Sequence, residues 1–64
     1  MMIADCKYGD TVTLIEDGIP PPEAQMVIKN TSVTVLNYDG MYVKVLLPNG
    51  EHTFVKAYTE VELV

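Results

Sequence analysis

Apolar and polar residues alternate along most of the chain, and this alternation predicts strands. In residues 11–16, Val12 and Leu14 alternate with threonines, which is the period-two pattern of a half-buried strand. Similar patterns predict strands at residues 32–38, 41–47, 51–56 and 60–64. Residues 25–30 also have an extended pattern and form either a separate strand or the first part of one long bent strand with residues 32–38. No segment predicts a helix of ordinary length, so we expect an all-β fold.

Turn signals separate the predicted strands. Asp39-Gly40 is a strong hairpin signal because both residue types tolerate the positive φ angles of a tight primed turn. Pro48-Asn49-Gly50 predicts a second hairpin, and residues 57–59 fit a short turn or one 3₁₀ turn. Three consecutive prolines, at 20–22, cannot donate ladder hydrogen bonds. They predict a long proline-containing loop after the first strand.

The order of these elements resembles the SH3-like barrel. The resemblance rests on residues 8–14 (YGDTVTL), 32–36 (SVTVL), 42–45 (YVKV) and 57–63 (AYTEVEL). Many SH3-like barrels open with a Gly-Asp-x-Val-x-Leu strand and close with a 3₁₀ turn before a short strand. The resemblance implies one domain, residues 1–64, folded as a five-stranded antiparallel barrel with the proline loop between its first two strands. The chain has no Trp, so recognition of proline motifs in the usual SH3 manner is not implied.

The strand phases predict one core. On the strand of residues 41–47 they place Met41 and Leu47 inside, and Tyr42, Lys44 and Leu46 outside. The core residues expected from all strands are Val12, Leu14, Val33, Val35, Val43, Val45, Phe54, Val61 and Leu63.

Length and charge exclude several classes of function. The 64 residues make one small domain, and nine Asp and Glu against four Lys and no Arg give a net charge of -5. Direct binding to nucleic acid is not expected, because few cations are available to neutralise phosphates. The chain has one cysteine, no signal-peptide pattern at its start and no apolar run of membrane-spanning length. We therefore expect a cytoplasmic protein without membrane contact.

Catalysis is not expected either. Cys6 and His52 are the only thiol and imidazole, and no motif brings them together with a third orienting group. The carboxylates do not have the spacing of a calcium loop. The sequence predicts no enzyme activity, no cofactor and no metal site.

A partner-binding surface is the remaining candidate site. Three acids flank the proline loop, and tyrosines combine a large contact area with a polar tip. The predicted partner-binding residues are Glu16, Asp17, Glu23, Tyr38, Tyr42 and Tyr58. As structural alternatives, the prolines stiffen the loop and keep a strand edge from pairing, and one or two tyrosines close the ends of the barrel.

The expected function is a protein-interaction module, or a small accessory or inhibitory protein of the kind that phages encode, that docks on a basic partner protein. One alternative is an acidic nucleic-acid mimic, which would need a dense linear array of acids. Another is a structural homo-oligomer that associates through Leu46, Val64 and Met26.

Overall fold

The computed structural model describes all 64 residues and shows a single antiparallel sheet of five strands. A short 3₁₀ helix, η1, comes first. The elements are η1 (Ile3–Asp5), β1 (Thr11–Leu14), β2 (Ser32–Asp39), β3 (Tyr42–Leu46), β4 (His52–Lys56) and β5 (Val61–Leu63). The strand order across the sheet is β4-β3-β2-β1-β5. The all-β, five-stranded prediction is confirmed. None of the helical structure is long and apolar enough to cross a membrane.

The sheet is not the closed barrel expected from the sequence. β4 and β5 are its two edges, and no ladder of hydrogen bonds joins them. Instead, the N-terminal segment lies against the turn between these strands. The Ile3 N–H donates to the Thr59 carbonyl at 2.8 Å, and the Ala4 N–H donates to the Ala57 carbonyl at 3.0 Å. Ile3 is completely buried, so η1 supplies a core residue where further strand pairing would close a barrel.

Both predicted hairpin turns are present. Asp39 pairs with Tyr42 across the β2–β3 turn, and Gly40 has a positive φ of 62°. The β3–β4 turn is closed by Leu47, whose N–H donates to the Glu51 carbonyl. Gly50 in this turn has a φ of 89°, a conformation that side chains disfavour. The turn chemistry read from the sequence therefore fixes two of the four connections between strands.

Residues 25–30 do not form a strand, contrary to the prediction. Their only ladder contact is a single bridge between Gly18 and Val27, within the long β1–β2 loop. The extended pattern ends at Asn30, whose φ of 74° turns the chain before β2. The loop instead folds back along β4, where the Ile19 carbonyl accepts the Lys56 N–H at 3.0 Å. The resulting loop, residues 15–31, partly covers that edge of the sheet.

The core confirms seven of the nine predicted residues and corrects two. Phe54 is only half-buried, because the pairing of Val45 with Thr53 turns Thr53 and Val55 inward and leaves Phe54 on the outer face. Leu63 is 54% exposed at the end of β5. Met41, expected inside, is exposed at the hairpin. The buried apolar residues are Ile3, Val12, Leu14, Val27, Val33, Val35, Val43, Val45, Leu47, Val55 and Val61.

Candidate functional site

Three separate parts of the chain meet at one end of the sheet. The Ala4 N–H in η1 donates to Ala57 in the β4–β5 turn, and the Ala57 N–H donates to the Met41 carbonyl in the β2–β3 hairpin at 2.8 Å. These two hydrogen bonds link residues that are far apart in sequence. We call the exposed side chains at this place the hairpin end: Asp5, Tyr38, Asp39, Met41 and Tyr58. Their backbone frame is held by hydrogen bonds on all three segments.

Large side chains at the hairpin end are open to solvent. Tyr38 is 64% exposed, Met41 69% and Tyr58 56%. Tyr38 pairs with the buried Val43, so the strand register places it on the core face of the sheet. It is nevertheless exposed, because it lies near the end of the β2–β3 hairpin. The Lys56 ammonium lies 5.8 Å from the centre of the Tyr58 ring, a weak cation–π contact at an exposed site. Tyrosines and Met of this exposure are typical of contact surfaces.

The two acids of the hairpin end have no cationic partner. The structure contains one ion pair, between the Met1 amino group and Glu60 at 3.2 Å. Asp5 and Asp39 are both exposed and make no ion pair. Because no cation neutralises these carboxylates, their negative charge remains available to a basic group on another molecule.

The structure brings together only part of the predicted site. Tyr38 and Tyr58 both lie at the hairpin end. Tyr42 is half-buried on the outer face of β3, where it pairs with Asp39 on one side and Lys56 on the other. The three acids Glu16, Asp17 and Glu23 lie on the β1–β2 loop and outside the hairpin end.

Two of the loop acids hold the loop in place. Glu16 Oε2 accepts the Glu60 N–H at 3.0 Å, and Asp17 Oδ1 accepts the Lys29 N–H at 2.8 Å. The first bond fixes the loop to the residue before β5, and the second closes the loop on itself. Glu23 stands at the tip, with a φ of 71° in a turn closed by the Ala24 N–H and the Pro21 carbonyl. Glu23 is exposed and makes no hydrogen bond through its side chain.

Cys6 and His52 occupy different elements. Cys6 follows η1 and packs against the core, and His52 is exposed on β4 opposite Leu46. Burial raises the pKa of the Cys6 thiol above its ordinary value, and the charges of Asp10 and Asp5 raise it further. The thiol is therefore held in its protonated, weakly nucleophilic form at neutral pH. No three His, Cys, Asp or Glu side chains are arranged to hold a metal ion.

A groove lies near the other end of β3. It has a volume of about 190 Å³ between the long loop and the β3–β4 turn, and its walls include Met26, Ile28 and Leu47. Met26 and Ile28 are exposed. The groove is apolar on these walls and has no charged residue in its lining.

Sequence reasoning missed three members of the hairpin end. Met41 was assigned to the core by strand phase, and Asp39 was explained by turn chemistry alone. Asp5 could not be placed, because its position depends on contacts between η1 and residues more than fifty positions away. The available signal was the Asp39-Gly40 turn, since residues beside a tight turn project from the sheet.

Comparison with known proteins gives no match: no family model, no curated protein and no solved structure is significantly similar to this chain. The fold and the site therefore define the class, which is a small open antiparallel β-domain with an exposed tyrosine-containing end.

Proposed function

We propose that this protein is a non-enzymatic protein-interaction module whose hairpin end docks on a basic partner protein. The observation that carries the proposal is that the exposed Tyr38, Met41 and Tyr58 and the unpaired Asp5 and Asp39 lie on three segments that backbone hydrogen bonds join at one end of the sheet. Aromatic and Met side chains give contact area at the centre of an interface, and carboxylates around them favour cationic partners.

We further propose that the domain belongs to the SH3-like architecture. The strand order β4-β3-β2-β1-β5 supports this, because β5 returns to pair with β1 after a meander of four strands. The long loop between β1 and β2 and the turn at residues 57–59 before the short β5 also fit that architecture.

The roles within the proposed surface differ between the acids. Asp5 and Asp39 lie on the same joined segments as the contact side chains and act directly on a bound basic segment. Glu16 and Asp17 accept backbone hydrogen bonds, so their main contribution is to keep the loop in position. Glu23 at the loop tip adds negative charge that attracts a basic partner during encounter.

Affinity capture with matched variants tests this proposal. The immobilised wild-type protein should retain a basic protein from a lysate of the source cells. Tyr38→Ser combined with Tyr58→Ser should abolish retention, because it removes the aromatic contact area. Met26→Ser combined with Ile28→Ser, which removes exposed apolar side chains at the groove, is the control and should retain the same protein. The proposal is wrong if wild type retains no specific protein, if the retained protein is acidic, or if the tyrosine variant retains it equally well.

Self-association is a second candidate function, and the exposure of Met26 beside the apolar groove favours it. Of the other two residues expected in such a contact, Val64 is exposed after β5 and Leu46 is half-buried on β3. Sedimentation over a range of concentrations should show a dimer that Met26→Ser dissociates if this function is correct. A monomer at all concentrations would exclude it.

The nucleic-acid mimic is less well supported. The nine acids lie on η1, just before β1, on the long loop, at both hairpins, just before β5 and on β5, and so are spread over the whole chain. A duplex presents charges at regular short intervals along its whole length, and such spacing is what a mimic must copy.

A further inference from the structure

The outer face of β3 and β4 has an alternating arrangement of apolar and basic side chains. Three cross-strand pairs form its rows: Tyr42 with Lys56, Lys44 with Phe54, and Leu46 with His52. In each row one strand contributes an apolar residue and the other a basic or titratable one. The apolar residue is on β3 in the first and third rows and on β4 in the second. Lys44 and Lys56 therefore lie on one diagonal of the first two rows, and Tyr42 and Phe54 lie on the other.

This face is a local exception to the acidic character of the molecule. Two of the four lysines and the only histidine are on it, although the chain has a net charge of -5. Neither Lys44 nor Lys56 forms an ion pair with a carboxylate. On the neighbouring strand β2, Asp39 pairs with Tyr42 and Asn37 pairs with Lys44. Asp39 is therefore the acid that the strand register places nearest to this face.

The apolar members of the face are not covered by a second layer. Tyr42, Leu46 and Phe54 are half-buried by their neighbours in the sheet and keep part of their surface in contact with water. None of them belongs to the buried core. A ligand that covers them gains apolar burial in addition to charge pairing.

The spacing of the rows fits an extended peptide. Residues two apart on one face of a strand are separated by roughly 6.6 to 6.8 Å, and diagonal neighbours on adjacent antiparallel strands by about 7 to 8 Å. An extended ligand that runs along β3 and β4 places its own alternate side chains at a similar interval. Carboxylates on residues i and i+2 of the ligand can therefore meet Lys56 in the first row and Lys44 in the second, and an apolar side chain on residue i+4 can cover Leu46 in the third.

We infer that the outer face of β3 and β4 binds an acidic, extended peptide segment of another protein. The inference goes beyond the proposed function, because it concerns other side chains and a partner of opposite charge. The two surfaces adjoin where Lys56 contacts Tyr58 and where Asp39 pairs with Tyr42. It makes the domain a connector that holds a basic partner at the hairpin end and an acidic one on the sheet. A single-stranded nucleic acid is disfavoured, because the face has no Arg and the rest of the molecule repels a polyanion.

Fluorescence anisotropy with a synthetic probe tests this inference. The probe is a short labelled peptide with the pattern Glu-Ser-Glu-Ser-Leu, in which both glutamates and the leucine project from one side of the extended chain. It should bind saturably to the full chain at low salt. Lys44→Gln should weaken binding severalfold and Lys44→Glu about tenfold, because the first removes an attraction and the second adds a repulsion. The control Lys29→Glu makes the same charge change on the exposed β1–β2 loop and should leave the affinity within about twofold.

Four outcomes would overturn the inference. They are no saturable binding of the peptide, equal losses from Lys44→Glu and Lys29→Glu, equal binding of a peptide with lysine in place of glutamate, and tighter binding of labelled oligothymidylate than of the peptide. Capture of the basic partner should be unchanged in Lys44→Glu. The inference and the proposed function can therefore fail separately.

Discussion

At Gly18 the long loop packs tightly against the core. A Cβ atom built on it would lie 2.6 Å from Val55 Cγ1 and 2.9 Å from Leu14 Cδ2. Its φ is outside the left-handed region, so the position requires a glycine because of space and not because of backbone conformation. In the sequence, the pair Asp17-Gly18 is typical of a turn. The packing of Val55 against Gly18 cannot be read from the sequence.

Gly18→Ala should destabilise the fold by about 1 to 3 kcal/mol, the usual cost of forcing an extra methyl group into a packed site. Urea unfolding measures this change. The double variant Gly18→Ala with Val55→Ala should lose less than the sum of the two single losses, because truncating Val55 removes the clashing atom. Strictly additive losses would show that the loop does not pack on Val55.

Glu23 has a backbone conformation that favours glycine. Its φ of 71° costs an L-residue on the order of 1 kcal/mol. Glu23→Gly should therefore leave stability unchanged or raise it by up to about 1 kcal/mol, as measured by the midpoint of urea unfolding. Glu23→Ala removes the same charge but keeps the strain, so it should give no gain. A gain in the alanine variant equal to that of the glycine variant would assign the effect to charge instead of backbone strain.

The Cys6 thiol is expected to make the folded protein less stable as the pH becomes alkaline. Its pKa is raised in the folded protein, chiefly by burial, so the folded state binds the proton more tightly than the unfolded chain does. Its contribution is fully present below the unfolded pKa of about 8.5 and is lost as the pH rises through the folded value. Urea unfolding at a series of increasingly alkaline pH values should show this decline, and Cys6→Ser should reduce it. The same decline in Cys6→Ser would exclude the thiol as its source.

At the scale of elements, β4 shows where strand prediction from sequence fails. Its sequence His-Thr-Phe-Val-Lys has an apolar residue in each of the two possible phases, and size alone favours Phe54 as the core residue. The β3–β4 turn sets the register, which places Thr53 opposite Val45 and therefore turns Val55 inward. The main core residues of β1, β2 and β3 agree with the sequence prediction, because in each strand two β-branched or Leu residues share one phase, although Leu36 of β2 and Tyr42 and Leu46 of β3 lie in the other.

Val55→Ala should cost more stability than Phe54→Ala, although Phe is the larger residue. Val55 is completely buried and its truncation leaves a cavity, with an expected loss of about 2 to 4 kcal/mol. Phe54 is half-buried on the outer face, and solvent can fill the space left by its ring. Thermal or urea unfolding of both variants decides the order. A larger loss for Phe54→Ala would mean that the register of β4 is the one expected from the sequence.

At the scale of the whole molecule, the sequence predicts which residues are exposed better than it predicts which distant segments come into contact. Tyr38 and Tyr58 were expected at turns, and both are exposed there. Their position at the same end of the sheet as Asp5 depends on backbone hydrogen bonds between η1 and the β4–β5 turn, a contact between the two ends of the chain. No local pattern encodes such a contact. For the same reason, the alternating face of β3 and β4 becomes visible only when the strand register is known.

Charge reversals at two separate positions can show which carboxylate acts on the partner, because salt screens the effect of each charge over short distances. Asp39 lies at the β2–β3 hairpin and Glu51 at the β3–β4 turn, at opposite ends of β3. Five residues of a strand span roughly 14 Å, whereas charges are screened over about 8 Å at physiological salt. Reversal of either charge changes the net charge equally, and only Asp39 adjoins Tyr38. The two variants therefore separate a local docking surface from a general effect of net charge.

The association rate of the captured basic partner, measured by surface plasmon resonance at two ionic strengths, tests the docking role of the hairpin end most directly. Asp39→Lys should slow association severalfold at low salt and flatten its salt dependence, because the carboxylate lies within the docking surface. Glu51→Lys should have a clearly smaller effect at physiological salt. Equal effects of the two reversals, or an unchanged association rate for Asp39→Lys, would contradict docking at the hairpin end.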